Sequence, residues 1–285
     1  MLSLSSTGEL LAALHGAHDV SLTAYTLPAG RVLDGLAAAA RGGAHVVVRL
    51  EGYIYKDGGS VTAANAAAVA ELRAGGADVR LVHPTSDAHD AMLHAKTAVI
   101  DGTLFLDDRN WPDDGGDTIL RDDFSADVRL AADISRGRQD APMPFFAIAK
   151  REALASEARL LNEARAGDDV IVESESFGAG NRAYNAIDAA ARRGAHVRLL
   201  VNARDAQGNA NETAAIAKLK TDGVAVRTCD ADEKFAIVRG ARGWIGSANA
   251  TAAFDHPDQF DWGARTDAPS ILEHASAVFD ARWNA

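Results

Sequence analysis

Two hydrophobic periods alternate along the first eighty residues. Residues 7–14 space their leucines as one face of a helix, which predicts a short amphipathic helix with Thr7 as its N-cap. Residues 20–25 alternate as a strand. Residues 32–40 return to the helical period, and residues 44–50 form a near-continuous apolar run that reads as a buried strand. Between those two, Arg41-Gly42-Gly43 fits a helix C-terminus, where a left-handed residue lets the chain satisfy the last carbonyls. Residues 63–73 predict the next helix and residues 78–82 the next strand. Helices alternating with continuous apolar strands imply βαβ units and a mostly parallel sheet covered on both faces.

The same programme restarts near Asp168. Residues 167–172 echo residues 17–22, and Ala40-Arg41-Gly42-Gly43-Ala44-His45-Val46 returns as Ala191-Arg192-Arg193-Gly194-Ala195-His196-Val197. Two such units are an internal duplication and not a solenoid array. The division falls at residues 1–140 and 141–285, with residues 137–144 as the connection and a helix over residues 145–165 opening the second half. The expected fold is α/β: two tandem pseudo-symmetric repeats, each a mostly parallel sheet flanked by helices, packed face to face.

Chemistry concentrates after the third predicted strand of each repeat. Leu93-His94-Ala95-Lys96 leads into apolar and β-branched residues and then Asp101-Gly102, with Asn110 and Trp111 following. A His and a Lys two apart on a strand share one face. The second half offers Asp232-Glu233-Lys234, then Arg239-Gly240, then Gly246-Ser247-Ala248-Asn249. The offset between halves is 151 at Ala40 and Ala191 (191 less 40) and 138 at His94 and Asp232 (232 less 94). Residues 83–92, a loop beside the first motif, hold much of the difference. Carried forward, the 138 offset aligns Asp123-Phe124 with Asp261-Trp262.

The paired stretches resemble the phospholipase D superfamily, whose halves each carry H-x-K-x4-D followed by G-S-x-N. The first copy keeps His94, Lys96, Asp101 and Asn110 and has Asp107-Asp108 for Gly-Ser. The second keeps Lys234, Gly246, Ser247 and Asn249, with Asp232 in place of His and Arg239 in place of Asp. The resemblance implies halves related by a pseudo-twofold and one site built from both repeats. It implies a phosphodiesterase that hydrolyses or transfers a phospholipid or small-molecule phosphodiester through a phosphohistidine at His94, with neither metal nor cofactor. Lys96 and Lys234 would supply positive charge, and Asn110, Asn249 and Ser247 hydrogen bonds, to the developing phosphoryl charge. Asp123 or Asp122 would orient His94; Asp101, Asp261 and Trp111 complete the candidate substrate-binding group.

Asp232 stands where relatives place the acid for the leaving group. An aspartate of ordinary pKa, about 3.9, is a poor acid at neutral pH. Nearby lysines would hold it ionised, whereas Asp261 would oppose ionisation by repulsion. It could pair with Lys234 or meet the substrate. Two alternatives stand beside the enzyme: a catalytically silent phosphate-binding protein of the same fold, and a nuclease of the superfamily.

Composition narrows this choice. The net charge of −11 weighs against a nucleic-acid partner, because binding to many phosphates rests on cationic neutralisation. Cys229 is the single cysteine and excludes an internal disulfide; with no signal-like start and no long apolar run, a monomer in the cytoplasm is expected. Neither H-E-x-x-H nor clustered cysteines suggest a metal, and Asp113-Asp114-Gly115-Gly116 reads as a turn. Residues 177–181 lack a full phosphate-loop pattern and read as a βα turn, while His45 and His196 read as structural. His83 and His89 lie in the first-half loop, exposed or at the rim of the site.

Overall fold

The computed structural model describes residues 2–52, 54, 63–82, 92–112, 119–124, 127–129, 131–132, 146–251 and 259–285. Outside these lie His83, His89 and the rest of the loop up to residue 91, the turn at residues 113–116 and the connection at residues 137–144. The chain forms two compact units, residues 1–143 with 258–260, and residues 144–257 with 261–285.

In the first unit, β1 (Ser3–Ser5), α1 (Thr7–Leu14), β2 (Asp19–Ala24), α2 (Arg31–Arg41), β3 (His45–Glu51), α3 (Ala63–Ala74) and β4 (Asp78–Val82) are followed by β5 (Thr97–Ile100), β6 (Thr103–Asp107) and β7 (Ile119–Asp122). The sheet order is β1-β7-β6-β5-β2-β3-β4. Helix α2 shows why the elements pack as they do. Val32, Leu33, Leu36, Ala37 and Ala39 recur at helical spacing, and all are buried against the sheet core of Val20, Leu22, Val46 and Val48. Gly43 takes φ of +97°, which ends the helix and starts β3.

The second unit repeats this plan. It contains β8 (Phe146–Ala149), α4 (Lys150–Asn162), β9 (Asp169–Ser174), α5 (Arg182–Arg192), β10 (His196–Asn202), α6 (Ala203–Gly208), α7 (Ala210–Thr221), β11 (Ala225–Cys229), β12 (Phe235–Val238), β13 (Arg242–Gly246), β14 (Phe260–Thr266) and α8 (Pro269–Asn284). Its sheet runs β11-β10-β9-β12-β13-β14-β8, the same order with an edge strand supplied by the start of the unit. Gly194 matches Gly43 with φ of +91°.

The α/β class holds, but each sheet is mixed instead of mostly parallel. Strands β2-β3-β4 and β9-β10-β11 are parallel, whereas β5 and β12 run antiparallel to β2 and β9. Turn chemistry is the reason. Asp101 and Gly102 both have positive φ, at 45° and 86°, and close a two-residue hairpin that forces β6 to run back along β5. Local readings change in two more places. Ser6, not Thr7, caps α1 by accepting from the Glu9 N–H. The segment expected to open the second half as a helix first forms β8, and α4 starts at Lys150.

Two expectations follow. A methyl group at Gly246 would lie 2.5 Å from the Trp262 carbonyl oxygen and 2.6 Å from the Trp244 ring. Gly246→Ala should therefore cost about 1–3 kcal/mol in urea unfolding, the usual penalty for overpacking. In α4, burial alone pushes the Glu157 carboxyl up to about 8, and its Oε2 has no hydrogen-bond partner. The folded chain thus holds a proton that the unfolded chain releases above its ordinary value of 4.5. Stability from this group is complete below that value and is lost as pH rises through about 8. Glu157→Gln should flatten the fall in unfolding free energy between pH 4.5 and about 8.

Candidate functional site

Each unit carries half of the motif set at the carboxyl edge of its parallel strands, the edge where open α/β sheets bind ligands. Because β5 is antiparallel to β2, its start lies beside the end of β2. His94 and Lys96 therefore precede β5 and do not belong to it, which corrects the reading of residues 93–102 as one strand. The same holds for Asp232 and Lys234 before β12.

In the first unit, backbone anchors hold this approach segment. Leu93 N–H donates to the buried Glu51 carboxylate at 2.7 Å, and His94 N–H to the Phe260 carbonyl at 2.8 Å. Asp107 N–H donates to the Lys96 carbonyl at 3.1 Å. Asn65 on α3 ties the neighbouring loop, donating to the Tyr25 and Glu51 carbonyls and accepting from Leu27 N–H. The outcome is a compact pair. Lys96 Nζ stands 3.1 Å from both ring nitrogens of His94, with Lys96 fully buried and His94 nearly so. The Tyr25 ring tilts against His94, centroids 5.2 Å apart.

The second unit has the same scaffold with different occupants. Gly246 N–H donates to the Lys234 carbonyl at 3.0 Å, as Asp107 does to Lys96. Lys234 is buried, and its Nζ donates to the Asp232 carbonyl at 2.8 Å and meets Glu175 Oε2 at 3.0 Å. The Asp232 side chain turns elsewhere, to the Arg282 guanidinium at 2.9 Å, and the same guanidinium pairs with buried Glu173. Burial pushes the Glu173 carboxyl up to about 7, against the opposing pull of Arg282.

The asparagines occupy matching places. Asn110 accepts from Thr26 N–H at 3.5 Å and Asn249 from Ser176 N–H at 3.1 Å. This fixes each amide by its oxygen and leaves the NH2 group as the end that can donate. Other candidates are engaged within their own units. Asp101 lies at the far turn of the β5–β6 hairpin, where it accepts from His18 and Asp19 N–H groups; the Asp19 bond foremost holds its carboxyl below the usual range. Seven residues of extended chain, about 20 Å, separate it from His94. Arg239, at the matching position, pairs with Asp169 and Asp280. Trp111 is buried in the first hydrophobic core, its backbone N–H donating to the Asp107 carboxylate. Ser247 donates to Asp261 at 2.8 Å and accepts from Trp262 N–H at 3.0 Å, so its hydroxyl is engaged within the fold.

Asp123 sits on the surface beside Arg121, and Asp122 accepts from Phe124 N–H and pairs with Asp127, away from His94. The reason is register. Asp107 pairs with Ile119 and Gly246 with Gly263, so Ile119 corresponds to Gly263. Counting back two positions from each, the partner of Asp261 is Asp117, which lies outside the described residues. Sequence reasoning also missed Glu175, Tyr25 and Arg282. Matching residues 24–26 with residues 174–176 after their strands would have found the first two, whereas nothing local marks Arg282. Among the described residues no group of three or more His, Cys, Asp or Glu side chains is placed to hold a metal ion.

Comparison with known proteins agrees with this geometry. Residues 158–283 match the family described as cardiolipin synthase, phospholipase D-like domain. No curated protein sequence matches the chain. Among solved structures, polyphosphate kinase from Porphyromonas gingivalis superposes over 99% of the chain with a TM-score of 0.66 at 15% identity; the chain spans 50% of that protein. Phosphatidylserine synthase from Haemophilus influenzae Rd KW20 covers 99% of the chain, TM-score 0.65 at 10% identity, with 85% of its own length matched. Residues 158–283 are thus similar to a phospholipase D-like domain, and the two solved structures share the fold of the whole chain. The family match falls on the half whose motif departs further from the pattern.

Arg282 should prove more important to stability than the aspartate it holds. Arg282→Ala leaves buried Glu173 without its counter-charge and should cost about 2–3 kcal/mol at neutral pH. Asp232→Ala, at a partly exposed pair, should cost under about 1 kcal/mol. Glu173 already titrates above its ordinary value, so the Arg282→Ala loss should grow as pH rises from about 4.5 through 7 and beyond. Urea unfolding at several pH values measures both.

Proposed function

We propose that the protein is a phospholipase D-like phosphodiesterase in which the motif residues of each half bind phosphoryl oxygens. A lone pair on a His94 ring nitrogen attacks phosphorus, the bond to the leaving oxygen breaks, and that oxygen takes a proton. Water or an alcohol then attacks the phosphohistidine, breaking the phosphorus–nitrogen bond and regenerating the imidazole. Lys96 and Lys234 offset the charge on the non-bridging oxygens, and the Asn110 and Asn249 amides donate to them. The supporting observation is the contact of Lys96 with the His94 ring at 3.1 Å. It puts a cationic donor beside the ring that would carry the phosphoryl group.

The second half supports a qualification on rate. With its carboxylate on Arg282, Asp232 is a weak candidate for protonating the leaving group, so esters with stable leaving anions should react best. That same neutralised second motif favours one other reading, a phosphate-binding protein without turnover.

An aryl phosphodiester separates them. Wild type should release the phenolate, form an acid-labile, base-stable adduct on His94 and retain activity in a chelator. His94→Ala should abolish turnover, Lys96→Ala should lower it by about 10²-fold or more as expected for a lost transition-state contact, and Asp232→Ala should change it only modestly. Equal rates for wild type and His94→Ala would remove His94 from the reaction. Saturable phosphate binding without any adduct would establish the silent reading instead.

A further inference from the structure

We propose that the groove between α4 and α5 is an anion site, built without the motif residues, that binds a small phosphomonoester: a dianionic phosphate on a compact apolar stem. The site goes beyond the phosphodiesterase reading and does not depend on it.

Helices α4 and α5 pack against each other through small side chains. Ala158 and Ala186 are buried along this line and Ala155 is half-buried beside them, which lets the helices approach closely. Longer polar side chains flank the contact, Arg159 and Asn162 from α4 and Arg182 and Asn185 from α5, and all four are exposed. Between them lies a recess of about 530 Å³. Its base is alanine methyl groups, and its rim holds two guanidinium and two carboxamide groups. That volume lies in the range of pockets that take whole small molecules.

Charge selects the ligand. Neither arginine of the rim has a carboxylate partner among the described residues. In the same unit Arg192, Arg198, Arg239, Arg242 and Arg265 all pair with aspartate or glutamate. The acid four residues on from Arg159, where a helical ion pair would form, is Glu163, and it pairs with Arg242 and Arg265 instead. Arg182 opens α5, whose first turn has no acidic residue, and a cation there faces the positive end of the helix macrodipole. Two uncompensated guanidinium groups thus share one recess in a chain of net charge −11. Guanidinium grips phosphate through paired N–H donors, and the carboxamide NH2 groups can add to them. The alanine floor suits a short apolar stem better than a bare ion. A lipid headgroup offers the same phosphate chemistry. Among the described residues, however, the one large apolar side chain that is exposed, Phe124, belongs to the other unit. A recess without such an anchor beside it suits a free molecule better than a bilayer.

The test is calorimetric titration with phenyl phosphate at pH 8, above the second phosphate pKa of about 6, of wild type, Arg159→Gln/Arg182→Gln and Ala155→Leu. Wild type should show a saturable event that Arg159→Gln/Arg182→Gln weakens by roughly 10²-fold, the loss of two charge-assisted contacts. Both arginines are exposed, so this variant should fold as wild type does. Ala155→Leu, which fills the recess from its half-buried side, should weaken phenyl phosphate more than inorganic phosphate. Phosphate held at the motif residues would not respond to the arginine substitutions, so an unchanged titration overturns the inference, as does the absence of saturable binding by wild type. Equal effects of Ala155→Leu on the two ligands would remove the apolar stem from the ligand class. Arginine-dependent cosedimentation with phosphatidylcholine vesicles containing phosphatidic acid, without binding of phenyl phosphate, would overturn the small-molecule assignment in favour of a membrane.

Discussion

An ammonium group removed from water must be given hydrogen-bond acceptors, and each half of this chain does so at its motif. Lys96 and Lys234 are both almost wholly buried, at equivalent points just before a strand. Burying a charge costs several kcal/mol unless close partners replace the lost hydration. In the first unit the His94 ring lies against the lysine; in the second a backbone carbonyl and the Glu175 carboxylate do. The surrounding construction follows from the need to hold those partners still. Strands from both sides of the sheet end there, a peptide N–H from the returning hairpin strand clamps each lysine carbonyl, and an asparagine pins each adjacent loop.

The two solutions have different chemical characters. In the first unit the lysine charge lies beside imidazole. Beside glutamate it is already offset, and the aspartate in the histidine position is offset in turn by Arg282. The halves share a scaffold closely enough that their sheets have the same strand order, yet one sets a histidine against its lysine and the other a carboxylate. Divergence has acted on side chains at fixed backbone positions, where a single substitution changes chemistry without disturbing the sheet.

The repeated units, their helices and the motif residues were legible in the sequence because each rests on local signals. Apolar periodicity marks the elements, the glycines at positions 43 and 194 mark the turns between them, and His94, Lys96 and Lys234 stand at fixed spacing. Strand direction was less legible, since an apolar run reads alike in parallel and antiparallel sheets; the Asp101-Gly102 turn carried that information. The Asp123 alignment failed for a geometric reason. The offset between halves is 138 at Lys96 and Lys234, but 139 at Asp107 and Gly246 (246 less 107) and 144 at Ile119 and Gly263 (263 less 119). A constant offset cannot be carried across hairpins whose loops differ in length. The partners of Asp232 and Lys234 come from a C-terminal helix and another strand end, so only tertiary contacts reveal them.

The one-residue difference between the hairpins has a use of its own. The first closes with Asp101 and Gly102, the second with Arg239, Gly240 and Ala241, yet in both the strand after the turn returns to clamp its lysine carbonyl. The additional residue is absorbed wholly at the distal tip. Chain length there is uncoupled from the motif end of the sheet. Lengthening the second tip beyond Gly240 thus offers a place to graft a fluorophore-accepting peptide or an affinity handle, reporting on the protein from the end of the hairpin remote from its lysine.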